Sequence, residues 1–251
     1  MFDVTKAFGR DIVLKALVGS HNYNLATEES DRDYKVFVIP TFEDLYHNER
    51  FSKQIVKSVD GNDYDIHDIR KLKDLFFKAN VNFLEVLASS EIIIPKGNPE
   101  IEEIYSLRKE IFKMNLPHLY DACKGMYFNK MKLLPKGTEG TQHLVDAYGY
   151  DTKQALHAYR TMRVIVDFEA TDFEDFEGAI KYFGEDLDFM MELRHGFFRQ
   201  EVFENFAKHY FESKFTGLAK KYREQPVNLE LKEHLEQLTM TLVKRKMLEN
   251  A

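Results

Sequence analysis

The stretch LVGSHNYNLATEESDRDYKVFVIP, from Leu17 to Pro40, holds the residues best suited to chemistry. Gly19-Ser20 ends an apolar run, Leu14 to Val18, of the kind that forms a buried strand. Asp31-Arg32-Asp33 opens a second run, Tyr34 to Ile39, stopped by Pro40. Residues i and i+2 of a strand share a face, so Asp31 and Asp33 project together. Two adjacent carboxylates repel each other unless a proton or a cation lies between them. Mg²⁺ takes oxygen ligands and is commonly shared between carboxylates and substrate phosphates. Gly19 suits a sharp turn with close ligand approach. Ser20, expected at a helix start, suits phosphate binding by backbone N–H groups. A turn and a solvated strand entrance would explain either half alone. Together, in this order, they describe a phosphate cradle beside a metal-binding pair.

A third carboxylate would complete a site for two divalent ions. In NDYDIHDIRKL, Asp63, Asp65 and His67 alternate and so share one strand face. Asp65 is preferred because it lies within the strand and just ahead of a helix capped by Asp68; Asp63 is the runner-up. Further on, Lys153, His157 and Arg160 are spaced i, i+4 and i+7, on one helix face that could hold phosphates. Taken by itself, that face reads as a solvated basic surface. Tyr150 suits stacking on a base or packing equally well.

The elements that must position these residues change character near residue 97. Residues 10–94 alternate strand and helix signals. From Pro99 onwards nearly everything has helical spacing, interrupted at Leu134–Tyr150 by Pro135, Gly137, Gly140 and Gly149, a candidate mobile loop. The expected architecture is α+β: an N-terminal half with a small mixed sheet, residues 1–97, and a helical half, residues 98–251, with a cleft between them. The chain has 251 residues, enough for a sizeable core. Its 35 Lys plus Arg against 42 Asp plus Glu give a net charge of −7, so any nucleic-acid contact needs a local basic patch. The Lys124–Lys132 segment interleaves basic and aromatic residues but reads better as an amphipathic helix. The single Cys123 excludes an internal disulfide and fits a reducing, cytoplasmic compartment. No signal peptide, membrane span or zinc motif is expected.

The order strand, GS, helix, DxD strand, then a single Asp on a third strand resembles the DNA polymerase β-type nucleotidyltransferase superfamily. Within it, the 19–34 segment (GSHNYNLATEESDRDY) is similar to bacterial and phage nucleotidyltransferases associated with RNA-repair operons. DIHDIRKL at 65–72, NVNFLEVL at 80–87 and GYDTKQALHAYR at 149–160 strengthen the resemblance, and LRHG at 193–196 is a weaker echo. Asn24 and Val81 replace a usual Gly and Pro, and Lys35-Val36 stands where Arg-Gly is frequent. Asn tolerates positive φ, so the turn can survive.

The resemblance implies a nucleotidyltransferase-type catalytic half and transfer of a nucleoside monophosphate from a nucleoside triphosphate to an acceptor hydroxyl, an RNA end among the candidates. It also implies two Mg²⁺ ions, with Mn²⁺ as a substitute, on Asp31, Asp33 and Asp65, and nucleotide binding by Gly19, Ser20, Lys153, His157 and Arg160. The competing expectation is a non-catalytic nucleotide-binding or antitoxin-like regulatory module on the same fold.

Overall fold

A computed structural model describes residues 6–56, 58 and 60–249; the first five residues, part of the stretch read for a signal peptide, lie outside that range. The fold is mixed α+β, with a curled mixed sheet in the N-terminal part. Its strands are β1 (Lys6–Ala7), β2 (Arg10–Val18), β3 (Asp33–Val38), β4 (Ser52–Ile55), β5 (Asp63–Asp68) and β6 (Ile92–Ile93). They are ordered β1-β2-β3-β5-β4, with β6 also paired to β2. β2 is flanked by other strands, which explains its continuous apolar run of buried residues. β3 runs antiparallel to β2 but parallel to β5, with Asp33 opposite Asp63 and Lys35 opposite Asp65.

This register positions the site. Tyr34, Val36, Tyr64 and Ile66 point into the sheet's own core. Asp33, Lys35, Asp63 and Asp65 lie on the other face and are only half-buried. Further along that face Phe37 and His67 are buried, with ring centroids 5.8 Å apart, and His67 meets Phe83 at 5.2 Å. The face is therefore open where β3 and β5 begin and closed where they end.

The helices are α1 (Phe42–Tyr46), α2 (Leu72–Phe77), α3 (Val81–Leu84), α4 (Pro99–Ser106), α5 (Arg108–Lys113), α6 (Leu116–Leu133), α7 (Gln142–Tyr148), α8 (Thr152–Ala170), α9 (Phe176–Ala179), α10 (Gly184–Arg194), α11 (Gln200–Tyr210), α12 (Ala219–Arg223) and α13 (Leu229–Glu249). Several follow the expected signals. Asp68 accepts from the Arg70 N–H ahead of α2, and Pro99 opens α4. Two departures are local. The Leu134–Tyr150 break contains α7, whose C-cap Gly149 adopts φ +81°. The helical spacing over 200–222 is divided between α11 and α12 by a π-turn at Phe211–Phe215.

Two compact units result: one runs to Asn115 and takes the chain back from Val227, the other is Leu116–Pro226. α4, α5 and α13 thus pack with the sheet-bearing unit, although their helical patterns group them with the rest of the C-terminal half. α13 returns with Leu231, Leu235 and Leu242 buried and with side-chain pairs around them. Arg245 grips Glu100 at 2.7 and 3.0 Å, His234 lies 2.8 Å from Glu103, and Lys73 pairs with Glu236. In the second unit α6 and α8 form the central pair, and the buried Tyr222 hydroxyl donates to the Ile165 carbonyl at 2.7 Å. No helix among the described residues is long and apolar enough to cross a membrane.

Candidate active site

Three chain segments reach one end of the sheet: the exit of β2, the entrance of β3 and the entrance of β5. At the first, Gly19–His21 forms a single 3-10 turn, not the start of a longer helix. Ser20 therefore offers a phosphate the backbone N–H groups of one tight turn and not the dipole of a long helix. The Gly19 N–H is also already used: it donates to Glu85 Oε2 at 3.2 Å. Glu85 is 3% exposed and accepts from the Tyr23 hydroxyl as well. Asn22 extends the connection, donating to the Glu85 carbonyl at 3.4 Å and accepting from the Ser90 N–H at 2.9 Å. A buried carboxylate from a distant segment thus anchors the turn. Asn24 adopts φ +64°, as its tolerance of that region allows.

Gly19 is required here for two reasons. Its φ is +71°, and a Cβ on it would stand 2.5 Å from Asp33 Oδ2. Gly19→Ala should consequently cost about 1–2 kcal/mol in backbone strain alone and push Asp33 aside. In a chain of this size that lowers the unfolding temperature by about 2–4 °C per kcal/mol. An unchanged temperature by calorimetry would sink this account.

Asp31 is exposed and lies just ahead of β3, not on it, while Asp33 is the first residue of the strand, so the strand alternation expected to project the two together does not extend to Asp31. The Asp63 N–H donates to the Arg32 carbonyl at 2.9 Å, which sets the start of β5 against the DRD sequence. Asp63 is therefore the cross-strand neighbour of Asp33. Asp65 sits one pleat deeper, 3.5 Å from Lys35 Nζ and 2.9 Å from His67 Nε2. Burial pushes its carboxyl up, but His67 and Lys35 outweigh burial and hold it below the usual range. His67 lies two residues on along β5, on the face that the alternation gave it, whereas Lys35 did not stand out in the sequence as a partner of Asp65, because that meeting depends on strand register.

The donor chemistry here, oxygen ligands only beside a glycine cradle that a Cβ would fill, fits a hard divalent cation such as Mg²⁺. Among the described residues, no three His, Cys, Asp or Glu side chains are gathered as a metal-holding group.

Lys153, His157 and Arg160 belong to the second unit, on α8. Lys153 is exposed, His157 is half-buried and Arg160 is only 5% exposed. A merely solvated basic face does not describe Arg160. Its Nη1 lies 3.3 Å from His157 Nδ1. Tyr150 is fully buried and donates to the Phe198 carbonyl at 2.9 Å, a packing role. Cys123 is buried, and burial pushes its thiol far up, as befits a small apolar filler.

A family model described as RNA repair pathway DNA polymerase beta family matches residues 2–169. That span holds the Gly19 turn, all four aspartates and the Lys153–Arg160 face. No curated protein matches the chain.

Proposed function

Since the chain belongs to the RNA repair pathway DNA polymerase beta family, we propose that it moves a nucleoside monophosphate from a nucleoside triphosphate to an acceptor hydroxyl, an RNA end in this reading. The observation that carries the reading is the meeting of the Gly19 turn, Asp33 and the β5 carboxylates at one open end of the sheet. Asp31, Asp33 and Asp65 would hold two Mg²⁺ ions, with Asp63 the alternative to Asp65. When bound, the metal supplies charge stabilisation to the transferring phosphoryl group.

The protein's own part is positioning and neutralisation. Lys153, His157 and Arg160 bind the outer phosphates, Arg as a fork and Lys as a point charge. Gly19 and Ser20 border the phosphate-binding turn. Asp65 accepts the proton of the acceptor hydroxyl as its oxygen bonds the α-phosphorus. The bond from that phosphorus to the bridging oxygen breaks, and pyrophosphate leaves.

One observation favours the alternative, a non-catalytic nucleotide-binding or regulatory module: Asp65 is already engaged by Lys35 and His67. The deciding experiment incubates the full chain with each α-labelled triphosphate, Mg²⁺ or Mn²⁺, and separate pools of RNA, protein and small molecules. Label on RNA with matching pyrophosphate release is expected. Triphosphate binding with no transfer to any pool would establish the alternative.

A further inference from the structure

The basic residues of the second unit extend beyond the three on α8. Lys130 comes from α6, which packs along α8. Arg194 ends α10, and its carbonyl accepts from the Thr152 hydroxyl at 2.9 Å, fixing it beside the first turn of α8. Burial and then the charges of Arg160, Lys130, Lys153 and Arg194 hold the His157 imidazole well below its ordinary range. Geometry places them together: the Asp151 N–H at the start of α8 donates to the Leu134 carbonyl at 2.8 Å, so Lys130, one turn before Leu134, and Arg194 flank the same end of α8. Lys130 is likewise lowered, by burial first; Asp151 opposes that shift, and Lys153 and Arg160 add to it.

Gathering like charges out of water is costly unless opposite charge compensates. Among the described residues, neither Lys130 nor Lys153 has a carboxylate within ion-pair distance. Asp151, the acid beside Lys130, is fully buried and occupied: it caps α8 through the Gln154 N–H at 3.0 Å and accepts from the Thr141 hydroxyl. The neutral His157 accepts from Arg160 at Nδ1, so its proton is on Nε2 and the ring keeps a donor. The cluster grades from exposed Lys153 to buried Arg160, so an anion can reach it from solvent.

We propose that α6, α8 and α10 form a phosphate-binding site within the second unit, in which Lys130 and Arg194 join Lys153, His157 and Arg160. Its ligand carries a terminal phosphate or polyphosphate group, from either a nucleoside triphosphate or a phosphorylated nucleic-acid end. The proposal deepens the phosphate assignment above and rests on it for those three residues.

The test titrates the full chain with inorganic tripolyphosphate, without divalent cations. Wild-type protein should bind. Lys130→Met and Arg194→Met, which keep most of the apolar stem, should each weaken binding about tenfold, as expected when a charge-assisted contact to phosphate is lost. Lys130→Arg should retain it, which separates lost charge from lost packing. The exposed Lys132→Met serves as control. Equal affinities in wild type, Lys130→Met and Arg194→Met would overturn the proposal. So would an equal loss in Lys132→Met, which would mean unspecific charge attraction.

Competition then identifies the source. Displacement by a nucleoside triphosphate assigns the nucleotide tail. Displacement by 5′-phosphorylated RNA, but not by its hydroxyl-ended counterpart, assigns the nucleic-acid end. Displacement by the hydroxyl-ended RNA, or by no ligand tried, overturns the site. A chain that binds tripolyphosphate through these residues but transfers no nucleotide keeps this inference and loses the transferase reading. Transfer without tripolyphosphate binding does the reverse.

Discussion

Asp33→Asn is expected to abolish nucleotide transfer while the protein stays folded with an unfolding temperature no lower than wild type. Asp33 begins β3 on the open face of the sheet and lies opposite Asp63, so two like charges face each other across the ladder. Such a pair is destabilising in the metal-free protein. Asn keeps the shape and the backbone pairing and removes one charge. The same change removes a ligand from the proposed ion site, where charge stabilisation is worth several kcal/mol, on the order of 10³-fold in rate. Asp31→Asn should behave alike, with even less effect on folding because Asp31 is exposed and ahead of the strand. Single-turnover pyrophosphate release and thermal melts, done side by side, check both halves. Near-normal turnover of either variant at saturating Mg²⁺ would sink the two-metal reading.

Asp65→Ala should lose transfer by about 10²-fold or more, the usual contribution of a general base, yet keep metal-dependent triphosphate binding. Asp31 and Asp33 suffice for the ion that travels with the nucleotide, while a carboxylate from β5 serves the acceptor side. The variant should also be less stable, because half-buried Lys35 loses its carboxylate partner 3.5 Å away. The pH dependence has a definite sign. Asp65 titrates below an ordinary aspartate, so its contribution is present above the unfolded value of about 3.9 and is lost as pH falls through the folded value. The melting temperature of wild type should therefore fall more steeply than that of Asp65→Ala as pH drops below about 4.

Asp63→Ala provides the comparison. It removes the neighbour of Asp33 and leaves the Lys35–Asp65 pair intact. If Asp63→Ala is inactive and Asp65→Ala active, the third carboxylate is the one in register with Asp33. If both are active, it lies on another segment.

Much of this site could be read from residue order. A glycine-serine turn after an apolar run, and two aspartates ahead of another, identify segments whose local conformation depends on neighbours in sequence. Asp68 and Pro99 mark helix starts for the same reason, since capping is decided within one turn. Very short elements escaped. β1 and β6 have two residues each, too few for any periodicity, and β4 (SKQI) carries little apolar signal.

By itself the sequence determined that strand, turn, paired aspartates and basic helix exist, because each is a local pattern of side-chain type and spacing. Only the tertiary structure decided which of them meet. Parallel pairing of β3 and β5 puts Asp63 beside Asp33 and Asp65 beside Lys35; a shift of two residues would exchange those neighbours without changing any strand's own pattern. Glu85 holds the Gly19 N–H from 66 residues away, a contact no local spacing encodes. α13 joins the sheet-bearing unit, not the adjacent helices: it buries Leu231, Leu235 and Leu242, and Glu100, Glu103 and Lys73 pair with its charges. Arg160 has the spacing of a solvated face, yet helix packing buries it, since burial is set by what other elements cover and not by the helix's own period.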